Sequence, residues 1–115
     1  MIKESELTEI LSLYKRHGWT LRRVLMSPEF EKSLGSKRNV LFRDVDMRSS
    51  NMDGAWFSRS SNLENETWEL RLLTSTPFAL LDVLSKTATE AEREEALTRV
   101  EEKMSKFVAK QIRGH

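Results

Sequence analysis

Apolar and polar residues follow two different rhythms along this chain. Leu7, Ile10, Leu11 and Tyr14 recur at i, i+3, i+4 and i+7. That spacing gathers them on one face and predicts an amphipathic helix over 4–17. Lys15, Arg16 and His17 crowd its last turn, where the helix dipole favours cations. Gly18 then offers the left-handed conformation that closes a helix. Residues 19–26 carry apolar side chains on both parities, which predicts a strand. Ser27-Pro28-Glu29 opens a short helix near 28–34: Ser caps free N–H groups and Pro is tolerated at the first position.

The middle of the chain turns to a period of two. Residues 40–48 alternate imperfectly, with Val45 and Met47 on one parity and Asp44, Asp46 and Arg48 on the other. Turn-forming residues fill 49–54, and Ala55–Ser58 reads as a short strand. Thr67–Leu73 alternates cleanly, with Trp68, Leu70 and Leu72 inward. The apolar run 77–84 is read as a doubly buried strand, although Thr76-Pro77 could also open a helix. The helical period returns at the end. Thr89-x-x-Glu92 is a capping box, and Leu97, Val100, Met104, Phe107, Val108 and Ile112 form an apolar stripe.

These elements predict one α+β domain over 1–115. Its expected form is an antiparallel sheet of four to five strands. The N-terminal helix and the long C-terminal helix are packed on one face, and a short helix lies near 28–34. The last helix would be about 36 Å long at 1.5 Å per residue. That exceeds what a domain of this size should cover, so its end is expected to overhang and to seek a partner.

Composition narrows the function classes. The 115 residues hold 19 basic and 18 acidic side chains, a formal net charge of +1. There is no cysteine, which removes disulfides, thiolate-held metals and thiol nucleophiles. The start has no apolar segment of signal-peptide type, and the longest clean apolar run is 78–81. A cytoplasmic protein without a membrane span is therefore expected. His17 and His115 are the only histidines, so no multi-histidine metal site can be built. Glycines at 18, 35, 54 and 114 cannot form a Walker loop or a dinucleotide fingerprint. No cofactor and no metal is expected.

Four groups of residues could carry function. The basic cluster Lys15, Arg16, His17, Trp19, Arg22 and Arg23 could hold phosphate and stack a base. Its plainer reading is a helix terminus followed by cross-strand ion pairs, Arg22 or Arg23 with Asp44, Asp46 or Glu69. Asp44, Asp46 and Asp53 with Glu69 and Arg71 have the layout of a metal-dependent nuclease, but Arg71 stands where a Lys would orient water and cannot act as a base. The aromatics Trp19, Trp56, Phe57, Trp68 and Phe78 could line a cleft or simply fill the core; Trp56 and Phe57 face opposite sides, so one of the pair could be exposed, and Trp56, after the Asp53-Gly54 turn, is the one to watch. Phe107, Val108 and Ile112 could form a dimer seam.

The leading expectation is a non-enzymatic protein-interaction module that self-associates or takes a protein partner, with Trp56, Phe107, Val108 and Ile112 at the interface. The alternative is anion or nucleic-acid binding through 15–23. A metal-dependent nuclease or phosphodiesterase comes third.

Overall fold

The computed structural model describes residues 1–113, the side chains of 112 and 113 apart. The order is α1 (Glu4–Arg16), β1 (Thr20–Met26), α2 (Pro28–Leu34), a 3-10 turn (Gly35–Lys37), α3 (Arg38–Leu41), β2 (Asp46–Ser49), β3 (Gly54–Ser60), β4 (Asn65–Leu72), β5 (Ala79–Ser85) and α4 (Glu90–Arg113). Local chemistry sets the boundaries. Gly18 takes φ +82° where α1 ends. The Ser27 hydroxyl accepts the Phe30 N–H at 3.3 Å, with Pro28 in the first helical position. Thr89 and Glu92 bond reciprocally at 3.0 and 3.1 Å, the capping box that starts α4. The Thr89 N–H, first, and the Thr89 hydroxyl beside it lower the pKa of the Glu92 carboxyl. The run 77–84, ambiguous by period alone, contributes the strand β5.

The fold is α+β, with a five-stranded, mostly antiparallel sheet in the order β2-β1-β3-β4-β5. β2 is the exception and runs parallel to β1, because α2 and α3 occupy the connection and carry the chain back to the same end. β3 pairs with β4, and β4 with β5, in antiparallel register without a shift.

The two terminal helices take opposite faces of the sheet, not one. Val24, Ala55 and Phe57 point to the side of α1, α2 and α3, where they join Leu7, Phe30, Leu34 and Phe42. Leu25, Trp56, Trp68, Leu70 and Leu72 point to α4 and meet Leu97, Val100 and Met104. The cause lies in β1 and β3. Residues 23–26 and 54–58 are buried without alternation, so these strands need cover on both sides. α4 is covered at least as far as Phe107 and Val108, which pack against the cluster on its side of the sheet.

Candidate interaction surface

The sheet divides the basic cluster that the sequence brings together. β1 is irregular between Leu21 and Arg23, so Leu21 stands opposite Phe57 and Arg23 opposite Trp56. The extra residue turns Arg22 and Arg23 to the α4 side. Arg22 lies over the Trp68 ring at 4.6 Å and donates to the Ser58 hydroxyl at 3.2 Å. Arg23 is 6% exposed and pairs with Asp46 at 3.0 Å, with Glu101 at 3.3 Å and with Glu94. Burial works to lower its pKa, but the bonds it donates to Glu94 and Asp46 and the charges of Glu94 and Glu101 outweigh it, so the pKa is raised. Arg48 extends the network to Asp46 at 2.9 Å and Glu94 at 3.3 Å. Arg23 is thus a staple between β1, β2 and α4. Lys15, Arg16 and His17 remain exposed at the other helical layer. The six residues do not converge on one anion site, and only the plain pairing Arg23–Asp46 of the earlier alternatives forms.

The acidic layout is divided in the same way. Asp46 faces α4 with Arg23, whereas Glu69 faces α1 and accepts the Tyr14 hydroxyl. Burial first, and that bond second, raise the Tyr14 pKa well above its ordinary value. Asp53 accepts the Ser27 N–H at 2.7 Å. Asp44 sits in the loop before β2 at φ 62°. Arg71 donates to the Leu72 carbonyl.

The residues expected at an interface also fall elsewhere. Trp56 is wholly buried and donates its indole N–H to Glu101 at 2.9 Å. Phe107 stacks on Phe78 with ring centroids 3.7 Å apart, and Val108 packs on the same core cluster. These two are half-buried cover for the sheet and not a free seam. Ile112 lies outside the residues whose side chains are described.

Two apolar side chains of one strand face, on β5, are uncovered together; Val40 and Leu63 are exposed singly elsewhere. Phe57 of β3, Glu69 of β4 and Leu81 of β5 are successive cross-strand partners, so Leu81 lies on the α1 face. Val83 and Ala79 share that side by alternation. Tyr14 reaches as far as Glu69, and α1 stops there. Leu81 is left 60% exposed and Val83 57% exposed. Their neighbours Leu80 and Leu84 point the other way and pack under α4.

The backbone of the same residues is also open. Leu72 N–H bonds Phe78 C=O at 2.9 Å and Lys86 N–H bonds Glu64 C=O at 2.9 Å, one at each end of the β4–β5 ladder. By antiparallel alternation the even residues of β5 bond to β4, while Leu81, Val83 and Ser85 aim their N–H and C=O groups away from the sheet. β5 is the last strand in the sheet order, so this is a free edge. Two local bonds blunt it: the Asp82 carboxylate accepts the Val83 N–H at 2.9 Å, and the Ser85 C=O accepts the Ala88 N–H at 3.1 Å. Sequence reading misses this surface because an apolar run looks the same in a central strand and in an edge strand with one face bare. Asp82, a charge inside that run, is the available signal.

No family model, no curated protein and no solved structure matches the chain. Among the described residues, no helix is long and apolar enough to cross a membrane.

Proposed function

We propose that this protein is a protein-interaction module, working without chemistry of its own, that self-associates by adding β5 of a second copy to β5 of the first. The observation that supports this reading is the coincidence on β5 of exposed Leu81 and Val83 with their outward backbone groups. An edge strand with exposed apolar side chains and outward backbone groups favours addition of another strand. A second copy fits because an antiparallel pair is its own two-fold partner.

The charges on the strand select a register. Placing Asp82 opposite the second copy's Asp82 is disfavoured, since like charges directly opposed destabilise a pair. A two-fold axis at Val83 avoids this. It sets Asp82 opposite the second copy's Leu84, with that copy's Lys86 on one diagonal and its Asp82 moved from the opposite position to the other diagonal. It also joins both copies of Leu81 and Val83 into one apolar patch, beyond the reach of α1. The driving force is burial of that patch, at about 25 cal/mol per Å², together with completed backbone hydrogen bonds.

Sedimentation velocity over about 1–200 μM, a range spanning weak to moderate association, tests the proposal. The wild type should shift from monomer to dimer as concentration rises. Val83→Lys should remain monomeric, with an unchanged melting temperature because the side chain is exposed. A wild type that stays monomeric throughout, or a Val83→Lys variant that dimerises equally, overturns the reading.

A further inference from the structure

We propose that the hollow between α1, α3 and the start of β1 is a binding site for a small organic anion with an apolar body, such as a medium-length alkyl or aryl carboxylate. The hollow holds about 380 Å³. That is within the lower range of small-molecule sites, about 300–1,000 Å³. Its floor is apolar: Leu11, Leu21, Leu41 and Phe57. Its walls include Trp19 and Thr20. Lys15 is the one charged side chain among the described residues that line it.

The site is built on held groups. Phe57 is 1% exposed, and the Tyr14 ring stacks on it at 4.0 Å. The Trp19 indole is fixed by Arg59, whose guanidinium lies 4.5 Å from its centroid, and by the edge of Tyr14 at 6.0 Å. Arg59 is in turn anchored on the His17 carbonyl at 3.1 Å. A rigid aromatic wall reduces the ordering cost of binding. Charge complementarity sets the ligand class. With Lys15 at the site and no carboxylate lining it, a carboxylate head can pair with the ammonium while a hydrocarbon or ring covers the leucines. The larger hollow at the far end of the molecule has the opposite character, since Glu29 and Asp53 line it. Within the basic cluster of the sequence, Lys15 and Trp19 therefore belong together, whereas Arg22 and Arg23 belong to the α4 side.

The test uses the full chain and three probes with one tail: decanoate, decanol and decyltrimethylammonium, followed by amide chemical shifts. Decanoate should bind one to one and move the signals of Leu11, Trp19, Leu21 and Leu41. Decanol should bind about two- to fivefold more weakly, the range for an exposed ion pair, and the cationic probe more weakly still. Lys15→Gln should erase the difference between decanoate and decanol while leaving decanol binding unchanged. Leu41→Glu should abolish binding of both. No shifts with decanoate to about 1 mM, the weak limit of specific binding, would overturn the proposal. So would equal binding of the cationic probe, or shifts centred on β5 in place of this hollow.

Discussion

Replacing Arg23 by Met removes the guanidinium while keeping much of its apolar stem. The expected loss of stability follows from what remains. Arg23 is 6% exposed, and its three carboxylate partners retain side-chain exposures of 45% for Asp46, 33% for Glu94 and 25% for Glu101. Breaking a fully buried pair costs about 3–5 kcal/mol, because the abandoned charge stays desolvated. Here water reaches the partners, so the loss should fall at or below the bottom of that range, about 2–3 kcal/mol. Glu101 should dominate, since it is the least exposed of the three and also accepts the Trp56 indole N–H at 2.9 Å. For a domain near this size, 1 kcal/mol corresponds to roughly 4 °C, so Tm should fall by about 8–12 °C. Thermal unfolding followed by circular dichroism reads this directly. Adding Glu101→Gln to Arg23→Met should recover part of the loss, because it neutralises the stranded charge. A shift below about 2 °C for the single variant, the scale of an ordinary surface change, would refute the reasoning.

Three further outcomes follow from the same geometry. Tyr14 is the only tyrosine, so the rise in absorbance near 295 nm on phenol ionisation reports it above the constant contribution of the three tryptophans. Its raised folded pKa means that its contribution is fully present below the unfolded value of about 10 and is lost as pH climbs toward the folded value, so tyrosinate should appear only with unfolding; a reversible step near pH 10 in folded protein would contradict the buried bond to Glu69. Phe107→Asp should lower stability by about 2 kcal/mol or more, since it sets a charge against Phe78, whereas a stable monomer with unchanged Tm would restore Phe107 to a free seam. Asp82→Asn should tighten self-association, measured by sedimentation, because it removes a carboxylate from the edge and weakens its hold on the Val83 N–H; weaker association would contradict the role given to Asp82.

Much of the fold is legible because its signals are local. The capping box at Thr89 and Glu92, the glycine at 18, the Ser27-Pro28 start and the clean alternation of β4 each act within a few residues. The placement of helices on two faces is less legible, although the non-alternating apolar runs of β1 and β3 carry it. β2 is obscured because all four of its residues are exposed, leaving no buried parity to read. The candidate sites depend on what sequence spacing does not encode. A single extra residue near Arg22 turns two arginines away from Lys15 and Trp19. Trp56 follows a turn, a common place for exposed residues, yet β3 lies at the centre of the sheet and buries it. The exposure of Leu81 and Val83 is set by where α1 stops, which is a property of the packed molecule.

The central claim is that β5 is completed by a second β5. Amide hydrogen exchange of Leu81, Val83 and Ser85, measured at several protein concentrations, tests it most directly. Their N–H groups point away from β4, so a monomer leaves Leu81 and Ser85 fast-exchanging and Val83 guarded only by Asp82. The account expects all three to slow as concentration rises, while Leu80 and Leu84, already bonded within the sheet, stay unchanged. Exchange at Leu81 that is fast and independent of concentration would contradict it.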